Sequence, residues 1–400
     1  MQMSLDLTRV VSQIGAMVSR LKANSRERQE HLDNGLDTLH SQAGNLEALD
    51  RKIKASKTTW LVAGLVDGLD GKYEPSPPPA DFTVIATDGS HIDVDRHRAA
   101  RCYLINIGSV VLRYGANPSA VLESTPQLYA DEDNLVIAPS GIKGQERTIE
   151  GALLGIKRGV DECRRLAELA AEVPASDPVL ALIDGTLILW GLDGYPEFVT
   201  EELLDNGFLS CLEEMRKLNR ERNLALASYI SFPRSNDVVN ALRVALCPHE
   251  IVDSDRYCPE CKQRECDAVA GIRDRDLFAG ILEPGQRSDV FVSQSSILKR
   301  YGAHMVHFFY LRLDEEVARV EVPQWVATDN ELLNLAHTLV LDQCRRGQEY
   351  PVALSESHEK AVVTGADREN FWELVEATLV EEHLPTPGSA KSKSKRRRWI

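Results

Sequence analysis

Two Asp-Gly-hydroxyl sequences, Asp88-Gly-Ser and Asp184-Gly-Thr, constrain the fold of this chain more than any other feature. Each one directly follows a run of β-forming residues, so each aspartate is expected at the end of a strand. The strand would hold the carboxylate rigidly while the glycine lets the backbone turn sharply. Two such aspartates on neighbouring strands could share a divalent cation. Either motif alone is more simply a turn, because Asp-Gly is a very common turn dipeptide.

The composition predicts a soluble globular protein with a sizeable core. The chain has 400 residues, of which 43% are hydrophobic and 27% are charged, and this length is typical of about two or three structural units. No stretch reaches the ~20 apolar residues that a membrane span needs, and the start lacks the basic and apolar regions of a signal peptide. The sequence therefore predicts a cytoplasmic protein with no membrane association.

Charge is unevenly distributed along the chain. The formal net charge is -15, and the run from Lys391 to Arg398 carries six positive charges, which leaves about -21 for the rest. So acidic a chain is not expected to coat DNA, because nonspecific binding is driven by neutralising phosphates. A nucleic acid would have to be admitted locally. The segment 385–400 is interpreted as a basic disordered tail, with a phosphate-contacting arm as the alternative.

Residues 1–73 are predicted to form an N-terminal helical region. Its first part has a stripe of apolar residues at helical spacing, which are Val10, Val11, Ile14, Met17, Val18 and Leu21. Such a stripe is a packing surface, and the pattern leaves open whether it packs inside the chain or against a second copy or a partner. A proline-rich linker over 74–79 ends the region.

Residues 80–375 are predicted to form a mixed α/β domain. The expected elements are strands 82–88, 100–106 and 109–114, a long helix over 146–173, and strand 178–184. Helices and strands alternate after that point. Successive strands that give way to this alternation indicate a mixed sheet with helices on its faces.

A run near the C-terminal end of this domain is rich in reactive side chains. Tyr350, Glu356, His358 and Glu359 fall within ten residues around a predicted strand-to-helix junction, where side chains can point into a cleft. A single histidine is more often structural. The neighbouring groups favour a functional role for this one.

Five ordered blocks give the chain a resemblance to the NurA nuclease family over roughly residues 80–375. They are Asp88-Gly-Ser, Asp184-Gly-Thr-Leu, Tyr229-Ile-Ser-Phe-Pro-Arg, Arg319-Val-Glu-Val-Pro-Gln-Trp-Val, and Tyr350-Pro through Ser-His358-Glu. The resemblance implies an RNase H-like catalytic core and a homodimeric, annular nuclease that cleaves DNA with manganese. It also implies 5′ to 3′ exonuclease and single-strand endonuclease activities, and partnership with a hexameric HerA-type ATPase in DNA end resection and repair.

The same resemblance assigns most of a catalytic site. The metal-binding aspartates of the family fall on Asp88 and Asp184, and its C-terminal tyrosine and histidine fall on Tyr350 and His358. Tyr350 is expected to donate a hydrogen bond to the phosphate, since a free phenol has a pKa of about 10. His358 is expected to bind a metal, position the water or protonate the leaving group. Arg234 either neutralises a phosphate or forms a surface salt bridge.

The family also has a helical glutamate between the two aspartates. Glu162 is the preferred match, and Glu150 and Glu168 remain open as alternatives. Acidic ligands of this kind suit Mn²⁺ or Mg²⁺. Two such ions, about 4 Å apart, make a water nucleophilic and neutralise the leaving oxygen in phosphodiester hydrolysis.

The eight cysteines divide into two sets. Four lie among apolar neighbours and are expected to be reduced core residues, namely Cys102, Cys163, Cys211 and Cys344. The other four lie in segment 247–266, interpreted as a Cys-rich insertion, and are Cys247, Cys258, Cys261 and Cys266. Their spacing includes a Cys-x-x-Cys pair and is within the range of a structural Zn²⁺ site. A loop of unliganded thiols is the alternative.

A nuclease acting on single-stranded DNA and duplex ends is the favoured function. The alternatives are an RNase H-like hydrolase acting on RNA and an inactive scaffold that docks to a DNA translocase. No nucleotide hydrolysis is expected, because the nearest approach to a Walker loop ends Gly71-Lys-Tyr. It lacks the first glycine of that loop and the Ser or Thr that follows its lysine. An ATP-driven motor would be another protein.

Overall fold

The computed structural model describes residues 6–384 apart from 96, 99, 140, 142 and 143. The predicted basic tail, 385–400, lies outside the described residues. The chain divides into two compact units. The first comprises Met1–Glu74, Ser231–Ser295 and Phe308–Arg319, and the second comprises Pro75–Ile230, Ser296–His307 and Val320–Ile400.

The described residues form helices and strands of very different lengths. The helices are α1 Leu7–Ala43, α2 Leu46–Ala55, α3 Ala152–Glu172, α4 Glu197–Thr200, α5 Leu209–Leu218, α6 Asp237–Leu246, α7 Ser254–Tyr257, α8 Asp274–Ala279, α9 Gln324–Ala327, α10 Asn330–Arg346, α11 Val352–Ala361 and α12 Gly365–Glu381. A π-helical stretch, Glu201–Phe208, joins α4 to α5. None of the helices in this part of the chain combines the length and the apolar character needed to cross a membrane.

The strands range from two to twelve residues. They are β1 Gly64–Leu65, β2 Lys72–Tyr73, β3 Phe82–Ile92, β4 Tyr103–Tyr114, β5 Ser119–Tyr129, β6 Val136–Ile137, β7 Arg147–Thr148, β8 Val179–Asp184, β9 Leu224–Ile230, β10 Arg287–Ser288, β11 Phe291–Val292, β12 Val306–Arg312 and β13 Val317–Pro323.

The second unit contains the strands that carry Asp88 and Asp184. Asp184 ends β8 as predicted, but Asp88 lies within β3, which continues to Ile92 with no turn at Gly89, so the prediction that Asp88 ends a strand is wrong. Five of its strands stand in the order β9-β8-β3-β4-β5. β3, β4 and β5 pair antiparallel, whereas β8 is parallel to β3 and β9 is parallel to β8. The predicted mixed α/β sheet with flanking helices is confirmed, and its strands have the RNase H-like order that the family resemblance implies.

Helices α3 and α11 cover opposite faces of this sheet at the end of β3. Thr87 and Gly89 face α3: the Thr87 hydroxyl donates to the Glu162 carbonyl over 3.0 Å, and a Cβ on Gly89 would meet Glu162. The alternate residues Asp88 and Ser90 contact α11. Successive side chains of a strand point to opposite faces, so the end of β3 presents a different set of groups to each helix.

The core of the second unit lies between α3 and the sheet. Helix α3 forms because apolar residues recur at helical spacing on one side, and that side buries Leu154, Val160 and Leu166. They pack in one cluster with Ile85 of β3 and Ile183 of β8. Burial of about 1.5–3 kcal/mol per large aliphatic side chain fixes the helix on the strands, and thereby fixes the polar residues at its sheet end.

The two strands predicted at 100–106 and 109–114 are one continuous strand, β4, so that prediction is wrong. Gly108 interrupts the β-forming run in the sequence, but in the fold it lets α11 approach the strand backbone. A Cβ on Gly108 would lie 2.1 Å from the Ser357 carbonyl oxygen. The third strand is β5, an exposed segment with Pro126 that the pattern did not reveal. Proline and polar residues are tolerated there because β5 ends the sheet.

The first unit has its own core, built from N-terminal helices and later segments. Ile53 of α2 packs in one cluster with Leu242 of α6, Phe278 of α8 and Phe308 of β12. The Cys-rich segment therefore belongs with the N-terminal helices, whereas the sequence placed 247–266 inside the 80–375 domain. Shared apolar burial accounts for this, since it joins segments that are distant in the chain.

The first half of α1 is unpacked in the described part of the chain. Val11, Met17 and Leu21 are 66%, 50% and 63% exposed, and burial within the helix begins only at Gly35. The apolar stripe therefore does not pack inside the described chain.

Candidate active site

Asp88 and Asp184 are neighbours at one end of the sheet. The parallel register of β3 and β8 pairs Thr87 with Ile183, so the next residue on each strand is an aspartate. Side chains in register point to the same face. The turn after Asp184 requires Gly185, whose φ is 87°, a backbone conformation that other residues rarely adopt.

Helix α11 delivers His358 to Asp88. His358 Nδ1 and Asp88 Oδ2 are 2.7 Å apart. The helix begins after Pro351, and its end is held by the Asn106 side chain, which donates to the Ala361 carbonyl over 2.9 Å. The Ser90 hydroxyl donates to the same carbonyl. The strands that carry the site therefore also fix the position of the histidine.

Tyr350 lies beside Asp184 and donates a hydrogen bond to it. Its ring meets the Tyr229 ring edge-on, with centroids 5.6 Å apart. Burial, reinforced by the charge of Asp184, raises the pKa of the Tyr350 phenol well above its usual range. Although Asp184 as a residue is exposed, desolvation of its carboxylate and the charge of Asp88 raise its pKa, and the Tyr350 hydrogen bond opposes that rise. The Tyr350 phenol therefore stays protonated near neutral pH and acts as a hydrogen-bond donor.

Glu162 is the buried acid of the group, with 8% of its surface exposed. Burial raises the pKa of its carboxyl to about 8, and the charges of Asp88 and Asp184 add to the rise, while Arg158 opposes it. Arg158 Nε lies 2.9 Å from Glu162 Oε1, but not in hydrogen-bonding geometry. Oε1 is left without a hydrogen bond among the described residues. An unsatisfied oxygen in such a site has capacity for a cation.

The two alternative glutamates are placed differently. Glu150 is exposed and precedes α3. Glu168 lies on α3 with an exposed side chain that pairs with Arg165 over 3.1 Å. The charged groups that shift the pKa of Glu162 are Arg158, Asp88 and Asp184, so Glu162 is the glutamate that lies near the two aspartates.

The donor set matches a divalent cation in chemistry, although not yet in arrangement. Carboxylate oxygens are hard ligands of the kind that Mn²⁺ and Mg²⁺ take. Within the described ranges, no three His, Cys, Asp or Glu side chains stand as a group that would hold an ion. Asp88 is turned to His358, Asp184 is bonded to Tyr350, and Glu162 lies on the opposite face of β3 behind Gly89. Ion binding would need the carboxylates of Asp184 and Glu162 to turn towards Asp88, which contacts His358 through Oδ2.

Several residues that shape the site were not predicted from sequence. Arg158 stands four residues before Glu162, a spacing typical of helix ion pairs, and that was the available signal. Glu321 accepts hydrogen bonds from the Thr186 hydroxyl and the Leu187 amide at 2.7 and 2.9 Å. It therefore braces the turn after Asp184. Nothing in the local sequence of Gly89 shows that Glu162 and Arg158 approach it closely.

The other predicted site residues belong to the first unit. Arg234 is exposed, and the described residues offer it no carboxylate partner. The cysteines of segment 247–266 are free and line one cavity.

The four cysteines expected in the core are buried, namely Cys102, Cys163, Cys211 and Cys344.

The family of the chain follows from a comparison with protein-family models. The NurA domain matches residues 82–363, which is well over half of the chain. The chain belongs to the NurA family. The match begins at β3 and ends just after α11, so it contains every member of the candidate site in the second unit. A NurA domain implies a nuclease.

Comparisons with other proteins give only distant likenesses. A native prototype foamy virus protease-reverse transcriptase is 12% identical over 38% of this chain, with a TM-score of 0.21, and the chain covers 18% of that structure. LC9-RNase H1, described as a type 1 RNase H with the type 2 active-site motif, is 10% identical, with a TM-score of 0.20. That match covers 42% of this chain and 71% of LC9-RNase H1. A search of curated proteins gives no match.

Proposed function

We propose that this NurA-family nuclease hydrolyses DNA phosphodiester bonds with two Mn²⁺ or Mg²⁺ ions held by Asp88, Asp184 and Glu162. One observation carries the proposal. The buried carboxyl of Glu162 lies near Asp88 and Asp184 and has a pKa raised to about 8, although Arg158 lies 2.9 Å from its Oε1, which accepts no hydrogen bond among the described residues. Three acids that disfavour each other's ionised forms are stabilised together by a divalent cation.

The bound ions would lower the pKa of a water and neutralise charge on the leaving oxygen. The protein's part is to hold the ligands and to handle protons. Asp88 orients His358 through the 2.7 Å contact with Nδ1. When Nδ1 carries the proton of that contact, Nε2 is free to accept one. The His358 side chain is 63% exposed, so Nε2 is accessible either to take a proton from a water or to deliver one to the leaving oxygen.

Tyr350 acts as a donor in this scheme. Its raised phenol pKa excludes a role as a base near neutral pH. It donates a hydrogen bond to Asp184. If Asp184 turns to bind a cation, the phenol is released to donate to a phosphate oxygen, which is the role expected from the sequence.

The substrate and partners are further parts of the proposal. We infer 5′ to 3′ exonuclease and single-strand endonuclease activity in DNA end resection, by a homodimer that works with a HerA-type ATPase. The support from this chain is its acidity and the exposed apolar stripe on α1. A chain with a net charge of -15 gains little from nonspecific attraction to phosphates, so a motor that feeds it the strand would raise its activity on duplex ends.

A cleavage assay on labelled strands tests the proposal. The full-length protein with Mn²⁺ is expected to cut single-stranded DNA, and to degrade duplex ends faster when a HerA-type ATPase and ATP are added. Faster cleavage of RNA than of DNA would favour the RNase H-like alternative. Binding to the ATPase without cleavage of either strand would favour the inactive scaffold. A chelator-treated sample is the matched blank.

A further inference from the structure

The thiols of the Cys-rich segment converge on one cavity of the first unit. The cavity has a volume of about 110 Å³, and all four cysteines line it, namely Cys247, Cys258, Cys261 and Cys266. All four are free. His249 also lines it, but its ring stacks on Tyr257 with centroids 4.3 Å apart. The cavity is therefore a thiol-lined space, and the nearby imidazole already has a packing partner.

Little regular structure holds this segment in place. Between the end of α6 at Leu246 and the start of α8 at Asp274, the longest helical stretch is a five-residue 3-10 helix, Glu265–Val269, and α7 has only four residues. Its first part is tied down by Lys52, whose Nζ donates to the Cys247 carbonyl over 2.6 Å, and by Lys57, whose amide donates to the Val252 carbonyl over 2.7 Å. The three remaining cysteines lie beyond these ties.

A cation without an anion faces the same cavity. Arg243 lines it, stacks on Trp60 at 4.8 Å, and has a buried Nε without a hydrogen-bond partner among the described residues. No carboxylate forms an ion pair with Arg243 in that part of the chain. Arg264, the other guanidinium of the cavity, is paired with Asp267 over 2.7 Å. Arg243 is half-buried and its Nη1 donates to the Asn240 side chain over 3.4 Å, so an anion placed in the cavity would neutralise a guanidinium that has no carboxylate partner among the described residues.

We propose that Cys247, Cys258, Cys261 and Cys266 bind one structural Zn²⁺ as four thiolates. Zinc with four thiolates is tetrahedral and carries a net charge of about -2, which would supply the anion that Arg243 lacks. Each thiol releases its proton to solvent on binding, and no oxidant is required. Among the described residues the four sulfurs line one cavity without standing in a coordinating arrangement, so Cys247, Cys258, Cys261 and Cys266 would have to move closer together to hold the ion.

Metal content of the intact protein tests this assignment. The full-length chain, purified without chelators, is expected to carry about one Zn²⁺, and Co²⁺ in its place should give thiolate-to-cobalt charge-transfer absorption. The double substitution Cys258→Ser with Cys261→Ser should lower the zinc content by at least about tenfold. His249→Ala is the matched control from the same cavity and should keep its zinc.

Each result is decisive. Absence of zinc from the wild-type protein, together with absence of cobalt–thiolate absorption after reconstitution, overturns the site. Full zinc retention by the double variant overturns the ligand set, as does loss of zinc in His249→Ala. Thiol counting on the native wild-type chain is the second measurement, since it does not depend on the folding of the double variant. Removal of Zn²⁺ by a chelator should expose four additional reactive thiols. Asp88→Asn should keep its zinc, which separates this test from that of the nuclease site.

Discussion

The raised pKa of Glu162 makes a quantitative prediction about metal-free protein. Its pKa rises from 4.5 to about 8 on folding, so the folded state disfavours the ionised carboxylate. Below about pH 4.5 the carboxyl is protonated in both the folded and the unfolded chain, and the free energy of unfolding is highest. As the pH rises from about 4.5 to about 8, the unfolded chain ionises first and the free energy of unfolding falls. At ~1.4 kcal/mol per pH unit the loss is roughly 4–5 kcal/mol, a large part of a typical free energy of unfolding.

Replacement by glutamine isolates this contribution. Glu162→Gln keeps the shape of the protonated acid and never ionises, so its stability should lack this part of the pH dependence. Near pH 5 the two proteins should be similar. At pH 8, without metal, the variant should be more stable by roughly 4 kcal/mol. Urea unfolding at each pH, in the presence of a chelator, measures the difference.

Glu168→Gln is the control, because Glu168 lies exposed on the same helix. Its curve should follow the wild type within about 0.5 kcal/mol. Parallel pH curves for wild type and Glu162→Gln would refute the reasoning, since they would mean that Glu162 ionises as readily in the folded chain as in the unfolded one. Glu162 would then not be a buried acid whose ionised form needs a cation nearby.

Three further predictions concern the neighbours of the acids and the exposed helix. Gly89→Ala should reduce cleavage at least about tenfold, because its Cβ would lie 2.5 Å from Glu162 Oε1, whereas Gly155→Ala, with open space around its Cβ, should leave activity unchanged. Tyr350→Phe should lower kcat by about 10² with little change in folding, measured by single-turnover cleavage and circular dichroism. Val11→Asp with Met17→Asp should suppress stimulation by a HerA-type ATPase while sparing basal single-strand cleavage, and unchanged stimulation would contradict the docking role of the stripe.

The sequence revealed the parts of the fold that local patterns control. β8 is a buried run that lies within the predicted strand 178–184, and α3 carries apolar residues at helical spacing within the predicted helix 146–173. Gly108 misled the prediction because its reason lies in α11, more than two hundred residues away. β5 was missed because an exposed edge strand lacks an apolar face to mark it.

The same division holds for the site. Asp184 at the end of β8 can be read from the sequence, since strand and turn are local features. Asp88 was expected in the same position, but β3 continues to Ile92 because its later residues stay paired with β4. The approach of Glu162 to Gly89 cannot be read from the sequence, because it depends on how α3 packs over β3. The placement of segment 247–266 in the first unit likewise depends on apolar burial between distant parts of the chain, and local patterns do not encode it.

The most direct test of the central claim is cleavage by Asp88→Asn and Asp184→Asn. Labelled single-stranded DNA is incubated with each variant and Mn²⁺, and binding of the same strand is measured in parallel. Both variants should lose cleavage by at least about 10³ while they keep DNA binding and thermal stability, because the amide preserves shape and removes the anionic ligand. Glu168→Gln should remain active. Substantial Mn²⁺-dependent cleavage by either aspartate variant would contradict the assignment of Asp88 and Asp184 to the catalytic centre.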